Sequence, residues 1–241
     1  MKILIIRHGD PDYTIDSLTE KGRKEAALLA DRMAKTDITA FYVSPLGRAQ
    51  DTARYTLEKM GRTAETKPWL REFHAPVKDS ETGEDRIPWD LLPSYWTAFP
   101  DYYDKDKWHT VPLMDKGNVI AEARRVYEGI DEILASHGYE REGNYYRAVR
   151  PNRDTIALFC HFGVECVMLG HLLGISPVVL WQGFCAAPTS VTVLTSEERR
   201  AGIAYFRMNT FGDTGHLYAS NEEPAFAARF CETFDSDERH D

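Results

Sequence analysis

No apolar run in the 241-residue chain approaches the ~18 residues that a membrane-spanning helix needs. The first apolar stretch, Ile3-Leu4-Ile5-Ile6, stops at Arg7, too soon for a secretory signal. Cysteine is scarce. The four present (Cys160, Cys166, Cys185, Cys231) show no CxxC spacing and three lie among apolar neighbours. That pattern reads as reduced thiols of a cytoplasmic protein, not as a disulfide or zinc framework. There is no Lys/Arg stripe, and the net charge is −9, so a nucleic-acid backbone would be repelled. A Walker glycine loop and a pyridine-nucleotide fingerprint are both missing. Asp10 and Asp12 alone are too few ligands for a dinuclear hydrolase, so neither metal nor cofactor is expected. Internal repeats and low-complexity tracts are missing too.

What is present is an ordinary globular balance, 43% hydrophobic and 28% charged, in a chain long enough for a substantial core. Residues 2–6 read as a strand buried on both faces. Thr19 can cap a helix carrying Ala26, Leu29, Ala30 and Met33 at i, i+3, i+4 and i+7. Phe41-Tyr42-Val43 is a second strand, followed by a helix from Ala49 to Met60 that Gly61 closes. Residues 117–137 form the longest helical pattern, with Gly138 as its stop. Glu142-Gly143-Asn144 reads as a tight turn before a basic stretch (Arg147, Arg150, Arg153). Residues 156–160 are a buried strand leading to His161 and a further helix, which Gly174 ends; Ser176-Pro177 starts another helix. Residues 191–194 and 203–206 are the last strands, and the acidic C-terminus reads as a short helix near Phe226 and a frayed tail. Alternating strands and helices predict one α/β domain over 1–241, a three-layer α/β/α sandwich with a mostly parallel central sheet.

Residues 67–116 break the pattern. They are proline-rich and hold four of the five tryptophans (Trp69, Trp89, Trp96, Trp108), too aromatic for a disordered linker. An insertion that lids one end of the sheet is expected, with Trp89 and Trp96 lining a substrate pocket.

In open α/β sheets, sites form at the carboxyl ends of strands. Three such junctions carry unusual residues: Arg7-His8-Gly9, Ser44-Pro45-Leu46-Gly47-Arg48 and His161-Phe162-Gly163. If they converge, two histidines and two arginines surround one volume beside a helix N-terminus, which suits a phosphate dianion.

These segments resemble the histidine phosphatase superfamily, also called phosphoglycerate-mutase-like. Ile3 to Gly9 is similar to its N-terminal motif, Leu18-Thr19-Glu20-Lys21-Gly22 to the opening of its first helix, and Ser44 to Ala53 to its second motif. Leu70-Arg71-Glu72 resembles its Leu-x-Glu, Phe159-Cys160-His161 its late strand ending in histidine, and residues 209–217 its C-terminal segment. The resemblance implies a metal-independent phosphomonoester hydrolase with His8 as covalent nucleophile, His161 beside it, and Arg7, Arg48 and His161 as phosphate ligands. It implies Glu72 as general acid/base, with Glu81 and Glu84 as nearby alternatives. Departures are Phe162 where a glycine is common, Glu25 where the first helix often has glutamine, and Thr14 where an asparagine often helps to bind phosphate. Thr14 is taken as a substitute ligand, and His216 as a contributor to the site wall or a structural hydrogen bond. The expected partner is a small phosphorylated metabolite. Two other readings stay open: a phosphoglycerate-type mutase, although residues 73–90 do not resemble the mutases' extended segment, and a phosphate-binding relative without turnover.

Overall fold

The computed structural model describes residues 1–78, 83–227 and 229–238. Its first strand, β1 (Lys2–Arg7), shows why an unbroken apolar run is needed. Ile3 and Ile5 enter one hydrophobic cluster while Leu4 and Ile6 enter another on the opposite face. Successive strand residues point to opposite faces, so a strand covered twice must be apolar throughout.

The chain continues through α1 (Glu20–Met33), β2 (Ala40–Val43), α2 (Gly47–Met60) and β3 (Glu65–Thr66). Thr19 caps α1 by accepting from Gly22 N–H at 3.0 Å, and Gly61 closes α2 at φ 62°, both as expected. Further on come α3 (Val119–Ser136), β4 (Tyr139–Glu142), β5 (Tyr145–Ala148), β6 (Thr155–Cys160), α4 (Phe162–Leu173), α5 (Pro177–Gly183), β7 (Val191–Arg200) and β8 (Ile203–Asp213). Asn118, at φ 48°, separates α3 from the short helix Pro112–Lys116.

Eight strands form one sheet in the order β3-β2-β6-β1-β7-β8-β5-β4. The half from β3 to β1 is parallel and carries the three junctions; from β1 onward every pairing is antiparallel. Helices α1 and α2 cover one face through Leu29, Met33 and Ala53. Helices α3, α4 and α5 cover the other through Ile130, Ile133, Val167 and Leu180. The α/β sandwich is thus as the alternating pattern predicts, with a mixed sheet. Because β6 lies between β1 and β2, the ends of these three strands meet at a switch point of the sheet, the usual place for a ligand crevice.

One element goes unread and one expectation fails. The Glu142-Gly143-Asn144 turn is present and joins β4 and β5 in a hairpin at the sheet edge, burying Tyr139, Tyr146 and Ala148 and leaving the charges outside. Edge strands with charged outer faces give little strand signal. No helix forms near Phe226 among the described residues. Instead this segment folds back: Glu222 pairs with Lys21 at 2.8 Å and with Lys24, and Ala225 N–H donates to Glu25 at 3.0 Å.

Residues 68–78 and 83–116 form short helices and a two-stranded ladder (Val77–Lys78 with Asp85–Arg86) against the α3/α4 face, where Trp69, Tyr102 and Trp108 are buried.

Candidate active site

The junction after β1 is held from three sides. His8 N–H donates to Cys160 C=O of β6 at 3.0 Å, Thr189 N–H donates to His8 C=O at 3.1 Å, and Gly9 N–H donates to the Thr52 hydroxyl of α2 at 2.9 Å. Thr52 in turn donates to Arg48 C=O at 2.7 Å, so the first and second motifs are joined by one buried hydroxyl. The His8 ring, 1% exposed, places Nδ1 2.7 Å from Gly9 C=O. A carbonyl can only accept, so Nδ1 carries the proton and Nε2 keeps its lone pair. Burial, then Arg7 and Arg48, hold the ring well below the usual histidine pKa, so it is uncharged at neutral pH.

His161, at the end of β6, lies with its ring centroid 5.1 Å from that of His8. Its Nε2 is 2.7 Å from Ser44 Oγ, which also accepts from Leu46 N–H at 3.2 Å. Burial, then His8 and the two arginines, keep His161 neutral as well. With the Ser44 hydroxyl as donor to Nε2, the proton of His161 falls on Nδ1, which is buried without a partner. A buried donor without an acceptor is costly, and an anion seated here would supply one.

Arg7 is tethered by Nη1 to Ala186 C=O at 2.6 Å and by Nη2 to Ala227 C=O at 3.4 Å. Arg48 donates through Nη1 to Asp16 at 2.5 Å and lies 5.3 Å from the Tyr13 ring. Asp16 also accepts from Gly47 N–H at 2.7 Å. Gly47 is obligatory there, because a Cβ would come within 2.1 Å of Asp16 O. Both arginines keep a buried Nε with no partner.

Glu72 follows the turn Pro68–Leu70 and lies at the start of α4. Its Oε1 accepts from Phe73 N–H at 2.7 Å and Val164 N–H at 3.1 Å. Burial raises its pKa against these two bonds and the pull of Arg7. The burial is aromatic: Trp89 and Trp181 have centroids 5.8 Å apart, and Phe73 and Trp181 5.2 Å. A Cβ on Gly163 would meet Trp89 at 2.5 Å and Glu72 Oε1 at 2.8 Å. Thus Gly163 is required by close approach, and Phe162 lines the cavity.

That cavity holds about 920 Å³ and reaches Arg7, Arg48, Glu72, Trp89 and Trp96. His8 and His161 are buried, 1% and 0% exposed, and are not among its lining residues. Thr14 is not among the lining residues; its hydroxyl donates to Asp12 at 2.5 Å. His216 is also apart from the cavity: Nε2 is 3.2 Å from the Thr189 hydroxyl, and burial lowers its pKa to about 4. Since Thr189 N–H holds the His8 carbonyl, His216 buttresses the His8 backbone. Glu84 is exposed and outside the lining; Glu81 lies outside the described residues. Among the described residues no group of three His, Cys, Asp or Glu side chains could hold a metal ion, and no helix is long and apolar enough to cross a membrane. All four cysteines are free thiols, two of them buried.

Several site-building residues carry no signal of their own in the sequence. Asp16, Ala186 and Ala227 act through backbone or at long range. Ser44 and Thr52 sit inside the second motif but are recognisable only once their partners are known. Glu165, on the first turn of α4, is 1% exposed beside the Thr192 hydroxyl, and burial pushes its carboxyl up to about 7.

A parallel half-sheet that delivers two neutral histidines and two arginines to one switch point defines an α/β protein equipped to hold a compact anion. The particular family follows from sequence. The profile of the histidine phosphatase superfamily (branch 1) matches residues 3–209, and the chain belongs to that superfamily. Proteins named Probable phosphoglycerate mutase GpmB from Serratia proteamaculans and Yersinia pestis are 31% and 32% identical over 97 residues. The match covers 36% of this chain and 45% of either relative, less than half of their length. Among solved structures, mycobacterial glucosyl-3-phosphoglycerate phosphatase in complex with VO3 gives a TM-score of 0.58 at 20% identity, covering 88% of this chain and 99% of that one. Phosphoserine phosphatase from Entamoeba histolytica with 3-phosphoglyceric acid gives 0.59 at 18%, covering 90% and 98%. At such identities the likeness is one of fold.

Proposed function

We propose that the chain is a metal-independent phosphomonoester hydrolase that works through a phosphohistidine on His8 and acts on a small phosphorylated metabolite. The observation that carries this reading is the Nδ1-to-Gly9 bond, which leaves a neutral His8 with a free Nε2 lone pair between two arginines. In the first step Nε2 attacks phosphorus in line and the P–O bond to the leaving group breaks. The leaving oxygen takes its proton from Glu72, whose Oε1 is occupied by two N–H donors and whose Oε2 can hold the proton. Arg7, Arg48 and the Nδ1–H of His161 answer the charge of the equatorial oxygens, which is most of the catalysis in phosphoryl transfer. In the second step the Glu72 carboxylate takes a proton from water as it attacks phosphorus. The N–P bond breaks and orthophosphate leaves. The 67–116 segment serves as a lid whose tryptophans desolvate Glu72, and the free thiols fit a cytoplasmic location.

The match to proteins named as probable mutases favours one second reading, a phosphomutase that returns the phosphoryl group to its substrate. Release of inorganic phosphate from p-nitrophenyl phosphate, with trapping of acid-labile phosphohistidine, tests the proposal. The wild type releases phosphate, and His8→Ala loses at least ~10³-fold as expected for removal of a covalent nucleophile. Undiminished release by His8→Ala defeats the hydrolase reading. Interconversion of phosphoglycerates without phosphate release supports the mutase, and phosphate binding without turnover or phosphohistidine marks a non-catalytic relative.

A further inference from the structure

The cavity is much larger than phosphate requires, and its outer wall has a chemistry of its own. A volume of about 920 Å³ lies near the top of the ~300–1,000 Å³ range of pockets that enclose drug-sized molecules. Beyond Arg7, Arg48 and Glu72 the lining turns aromatic: Trp89, Trp96, Phe162, Trp181, Phe184 and Phe230. Several of these rings are held by other rings. Trp89 lies 6.5 Å from Phe162, Trp96 5.5 Å from Tyr103, and Phe184 5.1 Å from Phe211, centroid to centroid. Such mutual packing makes a standing wall, one that does not collapse into the space it borders. Phe184 is still 41% exposed, apolar surface that an occupant would cover.

Charge in the wall points the same way. Of the cations among the described lining residues, Arg7 and Arg48 belong to the phosphate end. The third, Arg229, lies 4.6 Å from the Phe226 ring and pairs with Glu232 at 3.4 Å. The acidic Asp90 also lines the cavity. A leaving group bearing a carboxylate would face aromatic π-clouds and an arginine that already pairs with Glu232. A flat apolar leaving group would displace water from those faces at no such cost.

We propose that the substrates are phosphomonoesters whose leaving group is a broad, flat, apolar or aromatic body without a carboxylate, seated between Trp96 and Phe184. This rests on the hydrolase reading above for its turnover but not for its binding. The test compares primary alkyl phosphates of similar leaving-group reactivity: 2-naphthylmethyl phosphate, O-phosphoserine and 3-phosphoglycerate. Binding is read by tryptophan fluorescence in His8→Ala, and turnover by phosphate release in the wild type. The naphthylmethyl ester is expected to bind at least ~10-fold tighter than the two carboxylates, a step of the size that burying one ring face supplies. Trp96→Ala and Phe184→Ala should each remove most of that advantage while leaving the affinity for inorganic phosphate unchanged. Phe184 is exposed enough that its variant folds even where the Trp96 variant does not. Equal or tighter binding of either carboxylate, or a naphthylmethyl advantage untouched by Phe184→Ala, overturns the proposal. Preferred naphthylmethyl binding with no phosphate release from any ester upholds it and overturns the hydrolase reading instead.

Discussion

At the scale of single residues the site works by controlling protons. His8 is useful only as a neutral ring with a bare Nε2, and burial, two guanidinium groups and one carbonyl together secure that state. Glu72, the proposed acid, is shifted the other way, since burial raises its carboxyl above the ordinary range. Two outcomes follow. First, kcat/KM falls as pH rises past the raised Glu72 pKa, because the acid form is then lost. Glu72→Gln flattens that limb and lowers kcat ~10²–10⁴-fold for alkyl phosphates. The loss is smaller for p-nitrophenyl phosphate, whose leaving group needs no proton; pH–rate profiles on both esters decide it. Second, Ser44→Ala removes the hydroxyl that sets the His161 tautomer. Inhibition by vanadate should weaken ~10-fold, as for the loss of one charge-assisted hydrogen bond, while the thermal midpoint moves little. Unchanged vanadate inhibition would show that His161 needs no such partner.

At the scale of elements, helix α4 carries both the site and a liability. Its N-terminal N–H groups hold Glu72, and one residue beyond Val164 it buries Glu165 at the sheet. Glu165 is pushed from the ordinary 4.5 to about 7. A group whose folded pKa is raised contributes stability fully below the unfolded value, about 4.5, and loses it as pH rises through about 7. For a fully buried carboxyl the swing is about 3 kcal/mol. Glu25 of α1, also raised to about 7 by burial, adds in the same direction. Glu165→Gln should therefore remove about 3 kcal/mol from the fall in unfolding free energy between pH 4.5 and pH 7.5, as measured by urea titration. A slope identical to that of the wild type would mean that Glu165 is hydrated or paired in solution.

At the scale of the whole molecule, residues 222–227 fold back onto α1 and the end of the first strand. Lys21, Lys24 and Glu25 of α1 anchor residues 222–225, and the Ala227 carbonyl reaches Arg7. Truncation after Asn221 frees one arm of the Arg7 guanidinium. Competitive inhibition by inorganic phosphate should weaken ~3–10-fold, the worth of one hydrogen bond, with the His8 chemistry intact in burst assays. Undiminished phosphate affinity would mean that Ala186 alone positions Arg7.

Most of the chemistry-bearing residues were legible in the chain itself, because each stands at the end of an apolar strand or the start of a helix, where local pattern is strongest. Arg7, His8, Arg48 and His161 are of this kind, as are the caps Thr19, Gly61, Gly174 and Ser176, whereas Glu72, after the turn Pro68–Leu70, read only through its resemblance to the family's Leu-x-Glu. Thr14 read as a ligand only by analogy of position; locally its hydroxyl prefers the Asp12 carboxylate two residues away, as side chains in such turns do. What only the tertiary structure decided are the partnerships made across long separations: Asp16 with Arg48, Ser44 with His161, Thr189 with His8, Ala227 with Arg7, and the burial of Glu165. No periodicity encodes these, since each depends on which strand ends meet at the sheet's switch point. The sequence by itself determined which groups could do chemistry, and three-dimensional closure decided which protons they hold.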